Sequence, residues 1–186
     1  IACPSGHQFY EARWLHNPRY VRDYARYWFR TPGAQPQRYS AWMADSAWAT
    51  HLVHPNQKFL ADLLPDLRKN LDSWTGRSWV EEAGMFWQVG HDDGMEFNIA
   101  SRQTKNILSG APSYRPSFNS YMWADLQALA RISHLLGDHD AASSYEKQAG
   151  ALKDTMQKQL WDPQRKFFLA MFRDDEEDGE GNRIEK

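Results

Sequence analysis

Cysteine is almost missing: Cys3 stands alone among 186 residues, which excludes an intramolecular disulfide and leaves the redox compartment open. Long apolar runs are missing too. No stretch approaches the roughly 20 residues of a helical membrane span, and no basic-then-apolar segment follows Ile1 in the manner of a signal peptide. The expectation is a soluble chain with no membrane partner and an unassigned compartment, export ranking slightly ahead of the cytoplasm. Charge of one sign is also in short supply. With 22 basic against 24 acidic residues and a formal net charge of -2, the chain carries no electrostatic footprint for nucleic acid or an anionic membrane, so a neutral ligand is expected.

Several catalytic signatures are absent as well. There is no Gly-rich phosphate loop, no Gly-x-Ser-x-Gly elbow and no HExxH pair, which removes the usual support for nucleotide, serine-hydrolase and zinc-protease chemistry. The 7 histidines offer one close pair, His51 and His54, but Pro55 follows directly and puts that pair at a helix end, where a surface role is the ordinary one. No metal and no cofactor are expected.

Aromatic residues are abundant: 9 Trp, 8 Tyr and 9 Phe. Trp and Tyr join a flat apolar face to a polar tip, which suits both a helical core and a binding surface. Apolar spacing of three and four residues recurs in five segments bounded by breakers, and so predicts five helices. They span about 18–29, 39–53, 58–74, 117–136 and 138–160. The third carries Phe59, Leu63, Leu67, Leu71 and Trp74 as one stripe, with Pro65 expected to tilt or kink it. Leu136-Gly137-Asp138-His139 reads as a tight antiparallel turn that makes the last two helices an αα-hairpin; the second and third form another. From Thr75-Gly76 to Pro116 the periodicity is lost; a loop of that length inside a compact domain is usually functional or disordered, and Trp79, Phe86, Trp87 and Phe97 argue against disorder. Beyond Trp161-Asp162-Pro163, the run from Lys166 to Phe172 suits a short strand or a loop edge. The acidic tract from Asp174 to Glu180 reads as a solvated loop. No βαβ alternation occurs, so the fold class is all-α, built of antiparallel helix pairs. A bundle, a helical-repeat solenoid and an α/α toroid all satisfy that description.

The densest polar and aromatic cluster is Trp87 to Arg102. Within it, Gly94-Met95-Glu96-Phe97-Asn98 with Ser101-Arg102 resembles the acid-bearing segment of trehalases, of mannosylglycerate hydrolases and of processing α-glucosidases, the six-hairpin glycoside hydrolases. The resemblance extends along most of the chain. Tyr114-Arg115-Pro116-Ser117-Phe118-Asn119-Ser120-Tyr121-Met122 is similar to the family segment that opens a toroid helix, and Leu135-Leu136-Gly137-Asp138 and Leu160-Trp161-Asp162 are similar to its turn and helix end. Glu96 stands where trehalases carry Asp. The resemblance implies that residues 1–186 are part of an (α/α) toroid glycosidase domain, cut at both ends and completed by the remainder of the same polypeptide, with a carbohydrate as substrate. It implies that Glu96 is the general acid and that the catalytic base lies outside this chain, which leaves the fragment alone inactive. It also implies that Gly6 to Glu11 with Arg13-Trp14 form an aromatic strand-loop entering the cavity, and that Asn119 and Tyr121 line its mouth.

Elementary chemistry favours Glu96 on separate grounds. Cleaving a glycosidic bond requires a proton on a poor leaving oxygen, and a carboxyl supplies it when its surroundings favour the neutral form. Met95 and Phe97 flank Glu96 with apolar surface, and Asp92 and Asp93 add like charge nearby. The substrate-binding candidates are Trp42, Trp87, Asp93, Arg102, Asn119 and Tyr121, with Trp48 as a further stacking surface. Arg102 offers a planar set of donors for a hydroxyl or a carboxylate. For each aromatic, core packing is the competing role. Two other classes stay open at this point: a carbohydrate-binding module that has lost its chemistry, and a helical-repeat scaffold without a sugar site.

Overall fold

A computed structural model of the chain describes residues 4–94 and 103–185. The chain divides into two compact units, one of residues 1–74 and 121–150, the other of residues 75–120 and 151–186. Among the described residues, six α-helices run Ser5–Glu11 (α1), Arg19–Arg30 (α2), Met43–Val53 (α3), Gln57–Ser78 (α4), Pro116–Leu135 (α5) and His139–Gln159 (α6). Eight strands accompany them: Trp79–Val80 (β1), Met85–Gln88 (β2), Ser113–Tyr114 (β3), Trp161–Asp162 (β4), Phe167–Phe168 (β5), Met171–Phe172 (β6), Glu176–Glu177 (β7) and Arg183–Ile184 (β8). No described helix is long and apolar enough to cross a membrane.

The first unit is helix packed on helix. The predicted stripe of α4 is its spine: Phe59, Leu63, Leu67, Leu71 and Trp74 are all buried, and each such side chain withdraws enough apolar surface from water to contribute about 1.5–3 kcal/mol. The helix continues through Pro65. Gly137 ends α5 with φ 84°; the N–H groups of Gly137 and Asp138 bond to the carbonyls of His134 and Ser133 at 3.1 and 2.9 Å, the paired bonds of a Schellman stop that satisfy carbonyls the helix leaves open. Arg68 on α4 holds the same turn, donating to Asp138 at 2.6 Å.

Three expectations need correction here. Residues 5–11 form a helix and not an aromatic strand-loop, because Ser5, Gly6 and Phe9 are the buried positions, a spacing of one and four that only a helical turn presents to one side. Helix α3 starts at Met43 and not near Tyr39, since its first N–H groups are capped from another helix by Asp125. Helix α4 runs on to Ser78 through Gly76, so the expected stop at Thr75-Gly76 is overridden by the strand that follows directly.

The second unit contains the sheet that periodicity did not announce. Its order is β1-β2-β3-β6, with Trp79 opposite Phe86, Trp87 opposite Tyr114, and Tyr114 opposite Met171. All three pairings are antiparallel. Phe86 sits at the centre of its packing, edge-on to Trp79 and Phe118 with ring centroids 5.0 and 5.9 Å away. The described parts of the stretch expected as a long loop, 79–94 and 103–115, thus supply three of the four strands. The 166–172 run does form short strands, β5 and β6. The acidic tract is partly a hairpin, β7 against β8, its turn closed by Asp178, which accepts from the N–H groups of Glu180 and Asn182 at 2.9 and 2.8 Å.

Candidate functional site

Glu96 and Arg102 lie outside the described residues, together with Met95, Phe97 and Asn98. What the structure does describe is how the chain is held just before them. Residues His91–Asp93 make one 3-10 turn that ends at Gly94 with φ 69°, a left-handed conformation that glycine adopts without steric cost. Asp93 anchors this turn. Its side chain is fully buried and pairs with the equally buried Arg115, Nε to Oδ2 at 2.9 Å; the Ser117 hydroxyl donates to the same oxygen. Arg115 directly precedes α5 and Ser117 lies in its first turn, so an ion pair and a hydroxyl fix the turn to the helix end. The Oδ1 atom of Asp93 is buried with no hydrogen-bond partner among the described residues.

Asn119 is expected at the cavity mouth, and the structure describes its surroundings. The residue is fully buried, and its amide is spent on backbone: Oδ1 accepts from the N–H of Phe86 at 2.8 Å, and Nδ2 donates to the carbonyls of Phe86 and Arg115 at 2.8 and 2.9 Å. The register explains the arrangement. With Trp87 opposite Tyr114, the next partner for Phe86 is position 115, where the chain already turns into α5. A primary amide carries the same donor and acceptor as a peptide group, so Asn119 continues the ladder one position beyond the strand.

Trp87 is half-buried on β2, with the Arg173 guanidinium 4.2 Å from its ring centroid. That separation is inside cation–π range. Arg173 and Tyr114 also line a groove of about 440 Å³ with Val80, Ala83, Gln159 and Met171.

The first unit brings together the other two candidates. Trp42 lies against Tyr121 with centroids 4.5 Å apart and planes at 43°, and the His7 ring meets it edge-on at 4.8 Å. Trp42 is half-buried. Nearby on the same helix end, Asp45 has its carboxyl pushed above the ordinary range, by burial against the opposing pull of Arg131 and Arg13. Trp48, by contrast, stacks on His51 at 5.4 Å.

Asp125 is the residue that sequence reasoning missed. Its Oδ1 accepts from the N–H groups of Ala44 and Asp45 at 2.8 and 3.0 Å, so it supplies the cap that the N-terminus of α3 lacks locally. Burial pushes its carboxyl up to about 8. A signal was present: Met122, Asp125, Leu126 and Leu129 share one buried helical face, and an acidic residue there needs a partner.

Two comparisons with known proteins find similarity to this chain. Residues 1–184 match the family model described as the mannosylglycerate hydrolase MGH1-like glycoside hydrolase domain. A solved structure titled "Sialidase" superposes on 94% of this chain with a TM-score of 0.81 at 29% identity. The matched part is 16% of that larger chain. No curated protein matches. The chain therefore belongs to the MGH1-like glycoside hydrolase domain family.

Proposed function

We propose that this chain is part of the catalytic domain of an inverting glycoside hydrolase, an (α/α) toroid in which Glu96 is the general acid. The family match over residues 1–184 carries the proposal. The position of Glu96 in sequence supports it: two residues before it the chain leaves a turn held by the buried Asp93–Arg115 pair and Ser117, the kind of support a proton donor needs to meet one atom of its substrate. The acid protonates the departing glycosidic oxygen while a carboxylate about 6.5–9.5 Å away activates water on the opposite face of the sugar. That base belongs to the remainder of the polypeptide. Within the unit that carries Glu96, Trp87 offers an aromatic face to the apolar C–H surface of a sugar ring and Arg102 a set of donors for its hydroxyls; Trp42 and Tyr121 are the aromatic candidates of the other unit. Asp93 serves through its grip on the turn. The "Sialidase" structure supports glycosidic chemistry in general, and a 16% share of that chain is no basis for carrying its named substrate over.

The test uses the full-length polypeptide. Glu96→Gln keeps the shape and removes the proton, so hydrolysis of a glycoside with a poor leaving group should fall by about 10²-fold to 10⁴-fold. An aryl glycoside whose phenolate departs unaided should lose far less. Equal losses on both substrates, with an unchanged circular dichroism spectrum, would remove Glu96 as the acid.

A further inference from the structure

On the first unit, away from every residue assigned above, Arg19, Arg22, Asp23, Arg26, Asn56, Lys58 and Phe59 line a pocket of about 270 Å³. Its charges do not cancel. Four cationic side chains face one carboxylate, and that carboxylate is already engaged: Asp23 pairs with Arg19 at 3.2 Å and with Arg26 at 3.6 Å. Arg26 turns its Nε to a second carboxylate, Asp62, at 3.1 Å. Arg22 and Lys58 are left over. Neither side chain makes an ion pair or hydrogen bond among the described residues, and the Nε of Arg22 is buried without a partner. Among the described residues the Arg22 guanidinium has the face of Phe59 beside it, 5.8 Å from the ring centroid.

A buried guanidinium N–H with nothing to donate to loses its hydration without compensation, and the loss is greater for a charged donor than for a neutral one. The cost disappears when an oxyanion enters, because the planar fork of arginine offers two parallel N–H groups spaced for carboxylate or phosphate oxygens. Lys58 adds a point charge from the first turn of α4, whose amide dipoles also favour negative charge. We infer that this pocket binds a small oxyanion, with Arg22 as the principal donor and Lys58 as the second. Carboxylate and phosphate share the required chemistry. The site is independent of Glu96 and of the hydrolytic proposal.

Calorimetric titration of the full-length polypeptide with sodium glucuronate, inorganic phosphate and, as the uncharged control, glucose reads the site directly. Saturable heat with glucuronate or phosphate is expected, weakening as salt is raised. Whichever of the two binds more tightly identifies the source of the oxyanion. Arg22→Gln should weaken that binding by about tenfold or more, the value of a hydrogen bond to a charged partner, and Lys58→Gln by less. Asp23→Asn removes the competing carboxylate and should tighten it severalfold, a gain that no loss of folding imitates. Absence of saturable heat with both anions overturns the inference. So does anion binding that Arg22→Gln and Asp23→Asn both leave unchanged, or an Arg22-dependent heat with glucose equal to that with the anions.

Discussion

In the unit of residues 1–74 and 121–150, buried positions recur every three or four residues and the helices announce themselves. In the unit of residues 75–120 and 151–186, strands of two to four residues are arranged in a sheet by side chains that bond to backbone and to one another. A two-residue strand has no period, so nothing in its apolar pattern marks it. Its position is set by Asn119 reaching Phe86 across 33 residues, and by Asp93 meeting Arg115 across 22. The first unit rests on many small apolar contributions. The second concentrates its specificity in a few fully buried polar groups.

That contrast makes the sharpest break an Asp93→Ala substitution. It breaks the buried Asp93–Arg115 pair, and removing one partner of such a pair costs about 3–5 kcal/mol. Chemical denaturation of the full-length polypeptide should show the loss, and hydrogen exchange should place it in residues 85–94 and 111–120 while the amides of α2 and α3 keep their protection. Uniform loss of protection in both units would mean that the two unfold together and that the contrast has no energetic content. Because the turn is the one that leads to Glu96, turnover should fall as well; Asp93→Asn, which keeps an acceptor, should recover part of the stability.

Next in size is Asn119→Ala. Phe86 would lose the partners of both its N–H and its carbonyl inside a buried region, at about 1–3 kcal/mol for each group left unsatisfied. A decrease below 1 kcal/mol in denaturant melts would show that water or a shifted strand replaces the amide, and that the ladder does not depend on it. Asn119→Asp should be nearly as damaging, since a carboxylate has no N–H for the carbonyls of Phe86 and Arg115.

The same division explains what was legible in the sequence. The stripe from Phe59 to Trp74 and the Gly137 turn are local: the residues that determine them are neighbours in the chain, and their chemistry is complete there. The cap on α3 is not local. Asp125 and Ala44 are separated by 81 residues, so the start of that helix was placed four residues too early. Asn119 illustrates a different difficulty, because its position at a helix N-terminus is legible in the sequence while its bonds to the backbone of Phe86 are not. An amide at such a position serves a ligand or a backbone equally well, and only the strand register decides. Residues 5–11 failed for a third reason: a seven-residue helix offers too few turns for its spacing to stand out against the expectation of an aromatic loop.

The smallest expected effect, at pH 4, concerns Asp125, where the helical unit too relies on a buried polar group. Its carboxyl is raised to about 8 in the folded chain, chiefly by burial, against about 3.9 in an unfolded one. A group raised on folding gives stability that is complete below the unfolded value and is lost as pH rises through the folded one. Between about pH 4 and pH 8 the folded state holds a proton here that the unfolded state has released, so this group makes stability decline with pH across that window and level off above it. Asp125→Asn keeps an acceptor for the N–H groups of Ala44 and Asp45 and cannot ionise. At pH 4 the variant should differ from the wild type by under about 1 kcal/mol, the scale of one altered hydrogen bond; at pH 8 it should be the more stable of the two, because its cap carries no buried charge. Denaturant midpoints measured at both pH values decide the matter. If the two proteins run parallel from pH 4 to pH 8, Asp125 is ionised throughout, and its charge is held by the end of α3 and not suppressed by burial.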